Sequence, residues 1–100
     1  MEIVAYDGEA NIINIPDSVD GKRVIEIRGY FLRGNENVVE INIPDTISEI
    51  SSEAFEFCTN LEKLTMGRNT QIIGKALCRG DTKLKQVVLS ESLVEISHYA

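Results

Sequence analysis

The chain has 100 residues, 43% apolar and 26% charged, which allows one domain with a modest core and leaves little room for wholesale disorder. Its net charge of −6 argues against nucleic acid as a partner, because an acidic surface repels a phosphate backbone. No apolar run approaches the ~18 residues of a membrane span, so no membrane insertion is expected.

Residues 1–10, MEIVAYDGEA, predict a strand and a turn, with β-rich Ile3-Val4-Ala5-Tyr6 followed by the turn dipeptide Asp7-Gly8. They carry no basic region ahead of an apolar core, so they do not resemble a signal peptide. They match none of the later pattern and are assigned as an N-terminal cap strand, because a repeat array has an apolar end to cover.

From residue 11 onward the chain repeats. Residues 38–44, VVEINIP, return 23 residues later as LEKLTMG (61–67) and again as LKQVVLS (84–90). Each copy is apolar at its first, fourth and sixth positions: Val38/Ile41/Ile43, Leu61/Leu64/Met66 and Leu84/Val87/Leu89. A fixed period of this length marks a repeat architecture. The repeats run over residues 11–37, 38–60, 61–83 and, incomplete, 84–100, all in a single domain. In the first, Ile13 and Ile15 match Ile41 and Ile43, and an excess over residues 18–24 with Asp20-Gly21 predicts a hairpin-like loop. In the second, Pro44 ends the strand for want of an N–H, and Ser51 or Ser52 is placed to cap a short helical turn through Ala54-Phe55. In the third, Ala76-Leu77 arrives one residue earlier than Ala54-Phe55, which predicts turns of two lengths. The fourth stops at Ala100, where the equivalent of Phe55 should follow. Two readings of that end stand: a piece cut from a longer array, or a short protein whose end a partner covers, with self-association through an open C-terminal edge as the consequence.

Stacked copies pair equivalent strands in parallel at about 4.7–4.9 Å and bury columns of like residues. The inner columns are Ile13/Ile41/Leu64/Val87, Ile15/Ile43/Met66/Leu89 and Ile27/Ile50/Ile73/Ile96. The outward columns are Asn14/Asn42/Thr65/Val88 and Ile12/Glu40/Lys63/Gln86, which places Glu40 beside Lys63 as an exposed ion pair. These polar outward positions are the candidate binding residues: Asn14, Glu40, Asn42, Lys63, Thr65, Gln86 and Val88. Any half-buried sheet in water shows polar outward positions, so the pattern alone does not make a site.

The unit LxxIxLPxxLxxIxxxAFxxCxxL resembles the BspA-like class of bacterial leucine-rich repeats. Residues Val38, Ile41, Ile43, Pro44, Ile47, Ile50, Ala54, Phe55, Cys58 and Leu61 follow it almost throughout, and Tyr6-Asp7-Gly8 looks like that family's opening. Departures are Gly67 and Ser90 for the proline, Thr70 for an apolar residue, and Cys78 and Asp81 for Phe and Cys. The resemblance implies an α/β fold: a right-handed horseshoe solenoid with parallel strands on the concave face and short helical turns on the convex side. It also implies secreted or cell-surface location and adhesion to a protein or extracellular-matrix partner. It carries no catalytic residues and no cofactor.

The remaining residues suggest no chemistry of their own. Cys58 and Cys78 are too few for a disulfide framework, their spacing fits no zinc motif, and they are expected to be free thiols. His98 has no second ligand nearby in sequence. Calcium needs several oxygens converging on one loop, of which residues 17–21 could supply a few. Arg79-Gly80-Asp81 spells the integrin tripeptide, a match short enough to arise by chance. The expected function is a non-catalytic interaction or adhesion module working through the concave face. The alternative is a structural spacer in a larger surface protein.

Overall fold

The computed structural model describes residues 2–3 and 9–96, with side chains over 9–94. Tyr6-Asp7-Gly8, His98 and Ala100 lie outside the described residues. Among the described residues the chain forms eleven short strands and no helix: β1 (Glu2–Ile3), β2 (Ile12–Asn14), β3 (Ser18–Val19), β4 (Lys22–Arg23), β5 (Glu26–Ile27), β6 (Glu40–Asn42), β7 (Glu49–Ile50), β8 (Lys63–Thr65), β9 (Ile72–Ile73), β10 (Gln86–Val88) and β11 (Glu95–Ile96).

Two parallel sheets run along the stack. The first, in the order β10-β8-β6-β2, is built from the repeated VVEINIP-type stretches, and its register pairs Ile13 with Ile41, Ile41 with Leu64, and Leu64 with Val87. The second, β1-β5-β7-β9-β11, stacks Ile27, Ile50, Ile73 and Ile96. Sequence pattern anticipated that column but not that it is a strand ladder, because two residues per repeat are too few to show a period of two. In the excess loop, β3 and β4 pair antiparallel across Asp20 (φ 53°) and Gly21 (φ 77°). Two successive left-handed residues make the type I′ turn that suits strand twist, so the hairpin expected there is present.

The core lies between the sheets and the turns. Val38, Ile41, Leu61 and Leu64 are fully buried, and Ile43 and Met66 nearly so. Val87 and Leu89 follow the same pattern but have a neighbouring coil on one side only, and are 41% and 54% exposed. The Thr70 departure is accommodated by a hydrogen bond: its buried hydroxyl donates to the Ile47 carbonyl at 3.0 Å. Gly67 stands where Pro44 stands one coil earlier, and a Cβ there would collide with the Pro44 carbonyl oxygen. The backbones approach too closely for a side chain.

The turn side differs from expectation in two ways. It holds hydrogen-bonded turns instead of helical ones, and it keeps one length. Leu32 N–H donates to Ala54 O at 2.7 Å and Phe55 N–H to Leu77 O at 3.2 Å, the same offset by which Ile43 N–H donates to Thr65 O in the strand ladder. Left-handed residues recur at Tyr30/Glu53/Ala76 and again at Gly34/Phe57/Gly80, each 23 apart. Ala76-Leu77 is therefore not an early copy of Ala54-Phe55. Phe31, Ala54 and Leu77 share one column, and Leu32, Phe55 and Cys78 share the next. Bulk trades between the columns from coil to coil, so each coil fills a similar volume while the identities shift.

Candidate functional site: the outward face of the four-stranded sheet

Alternation along β2, β6, β8 and β10 turns one residue of each strand into the core and leaves its neighbours on the opposite face. The register then aligns those neighbours across strands. Asn14 pairs with Asn42 and Asn42 with Thr65, while Ile12, Glu40, Lys63 and Gln86 form the second row. The two rows are joined by one side chain. Asn42 Nδ2 donates to Asn14 Oδ1 at 2.8 Å and to Glu40 Oε2 at 2.9 Å.

The structure brings these residues together unevenly. Glu40 and Lys63 are register partners, yet they form no ion pair. Glu40 instead accepts its hydrogen bond from Asn42, two residues along its own strand. The ion pair on this face is one position earlier, between Lys85 Nζ and Glu62 Oε1 at 3.5 Å, with both side chains well exposed. Such a pair contributes at most about 1 kcal/mol. Glu40, Lys63 and Gln86 line a shallow depression of about 270 Å³ with Val39, Glu62 and Lys85. Thr65 and Val88 continue the Asn14/Asn42 row, and Val88 borders a second depression of about 210 Å³ that includes Asp45, Arg68 and Glu91. Sequence reasoning placed Val39 on the outward side with Glu40 and Asn42 but did not extend its row to Glu62 and Lys85. The same spacing of 23 would have found them.

Among the described residues no three His, Cys, Asp or Glu side chains converge as a metal cluster would. The buried titratable groups lie on the turn side. Asp81 Oδ1 accepts the Cys58 N–H at 2.7 Å, and its carboxyl is pushed up to about 7, chiefly by burial. The Cys58 N–H and the Cys78 thiol pull it back, and the Glu56 carboxylate raises it further. Cys58 and Cys78 are free, and burial pushes each thiol up to about 12. Arg79 is paired with Glu56 and Asp81 is buried, so the tripeptide Arg79-Gly80-Asp81 is not presented as a free loop.

Comparison with known proteins agrees with this fold. The profile of the BspA type leucine rich repeat region matches residues 6–100, nearly the whole chain. A leucine rich cell surface protein from Faecalibacterium prausnitzii superposes with a TM-score of 0.85 at 29% identity, covering 95% of this chain and 27% of that one. A leucine-rich repeat protein from Bacteroides ovatus gives 0.79 at 32% identity, over 85% of this chain and 23% of that one. The T. pallidum leucine rich repeat protein shares the fold, with a TM-score of 0.67 at 24% identity over 95% of this chain and 55% of its own. The chain thus spans about a quarter of the length of the first two. Curated proteins give no match.

Proposed function

The chain belongs to the BspA type leucine rich repeat family, and from that premise we propose that it is a non-catalytic interaction module of a bacterial cell-surface protein. The outward face of the four-stranded sheet is the binding surface, and its partner is a protein or extracellular-matrix component. The observation that carries this reading is the Asn14–Asn42–Glu40 network. The inward residues already bury the core, so the network does no packing that the fold requires. It holds three polar side chains in fixed orientations on an open surface, which lowers the ordering cost of a partner's hydrogen bonds. The F. prausnitzii neighbour, a leucine rich cell surface protein, supports the location.

The test is binding to immobilised extracellular-matrix protein by the chain and by a triple variant, Asn42→Ala, Lys63→Ala, Thr65→Ala. The expected result is at least a tenfold weaker response from the triple variant with an unchanged melting temperature. Undiminished binding by a folded triple variant refutes the assignment of this face. No binding by either protein favours the spacer reading.

A further inference from the structure

The turn side carries a second feature that the strand face does not explain. At Gly34, Phe57 and Gly80, three equivalent positions, the backbone is left-handed, with φ of 77°, 58° and 81°. Glycine is the ordinary residue there, because a side chain in this region crowds the backbone. The middle coil nevertheless places a phenylalanine, and the residue is 39% exposed. The ring lies across Gly80, whose missing Cβ leaves the space it fills. The middle coil thus keeps an aromatic residue in a left-handed conformation with part of its surface in solvent.

Two arginines flank this ring. Arg33 Cζ sits 5.5 Å from the Phe57 centroid and 5.5 Å from the Tyr30 centroid, and Arg79 Cζ sits 5.7 Å from Phe57 on the other coil. Both guanidinium groups are held from beneath by one fully buried carboxylate. Arg33 Nε meets Glu56 Oε1 at 2.6 Å, and Arg79 Nη2 meets Glu56 Oε2 at 2.7 Å. Arg33, Glu56 and Arg79 are again one column, 23 residues apart. Each guanidinium has five N–H donors, and Glu56 occupies only part of that fork. Both arginine side chains stay about half exposed, and Tyr30 is 60% exposed beside them.

Charge is segregated to match. Of the ten Lys and Arg and sixteen Asp and Glu in the chain, the turn segments 28–37, 51–60 and 74–83 hold five cations and four carboxylates. Glu56 and Asp81 among those carboxylates are buried. The rest of the chain is strongly acidic. The turn side is therefore where a negatively charged partner meets least repulsion.

The geometry points to the Tyr30–Arg33–Phe57–Arg79 ridge as a second interaction surface, distinct from the strand face, that docks an acidic segment of a partner protein. Partner carboxylates take the free guanidinium N–H groups, and the partner's apolar or aromatic side chains lie on the exposed rings. Pre-fixed arginines and aromatics are the residue types that dominate interface energetics.

The test is fluorescence anisotropy with a fluorescein-labelled Glu-Glu-Tyr-Glu-Glu peptide and, as control, Lys-Lys-Tyr-Lys-Lys. The proteins are the natural chain, Phe57→Gly, Arg79→Gln and the strand-face triple variant. Expected are binding of the acidic peptide alone, a loss of about tenfold or more with Phe57→Gly and with Arg79→Gln, and undiminished binding by the triple variant. Glycine suits the left-handed backbone, so Phe57→Gly is expected to melt within about 3 °C of the natural chain. Absent or charge-indifferent peptide binding, or binding unchanged in both ridge variants, overturns the proposal. So does a large drop in the melting temperature of Phe57→Gly, which would make the ring a brace for the turns. Failure of the strand-face reading leaves these outcomes unaffected.

Discussion

Replacing Asp81 by asparagine should remove a specific pH dependence from the stability of this chain. The folded carboxyl is pushed up to about 7 from an ordinary value of 3.8. Between those values the folded state holds a proton that the unfolded state has released. The folded state is therefore favoured at acid pH, and its advantage is lost as pH rises from about 4 to about 7. At about 1.36 kcal/mol per pH unit, the span from 3.8 to about 7 sets a ceiling near 4 kcal/mol. Outward rotation of the side chain and entry of water would reduce it, to about 1–3 kcal/mol in practice. Asparagine keeps an oxygen to accept the Cys58 N–H but cannot ionise. Its amide NH₂ replaces Oδ2, which is buried without a hydrogen-bond partner, so the variant should be somewhat less stable at pH 4.5. At pH 8 it should equal or exceed the natural chain. Urea unfolding followed by circular dichroism at pH 4.5, 6, 7 and 8 measures both proteins, and their difference cancels every other titrating group. A difference that stays constant across that range would show that Asp81 ionises normally in the folded chain, and the burial argument would be wrong.

Two further outcomes follow from close packing and from burial. Gly67→Ala forces a Cβ against the Pro44 carbonyl and should cost about 1–3 kcal/mol or more, because two backbones must separate. Gly34→Ala meets open space at φ +77° and should cost only about 1 kcal/mol of left-handed strain, so equal losses in urea titrations would contradict the contact. With both thiols pushed up to about 12, Cys58 and Cys78 should resist maleimide at pH 7.5 in the folded chain and react together in denaturant. Fast labelling of the folded chain at either site would show that the thiol is not held as described.

The fold was legible wherever side chains repeat by type. Ile13, Ile41 and Leu64 announced their column because a parallel ladder at a 23-residue period puts like residues over like. The turns were misread for the same reason. Ala54-Phe55 and Ala76-Leu77 look alike, but the backbone bonds align Ala54 with Leu77 and Phe55 with Cys78. Packing there conserves the volume of a coil and leaves its sequence free to drift.

The candidate strand face was legible to the level of rows and no further. Period and alternation place Asn14, Asn42, Glu40 and Lys63 on one surface, since a strand has only two sides. They do not decide bonding. Glu40 bonds Asn42 and not its register partner Lys63, a matter of side-chain conformation that no spacing encodes. The turn-side ridge was hidden altogether, because Tyr30, Arg33, Phe57 and Arg79 belong to three coils and share no motif. Glycine at 34 and 80, a left-handed backbone between them and one buried carboxylate at Glu56 bring them together. The sequence by itself determined the period, the strands and the core columns, because burial acts on each residue's own apolar surface. Only the stacked structure decided which polar groups meet, because that depends on distances of a few ångströms between coils 23 residues apart.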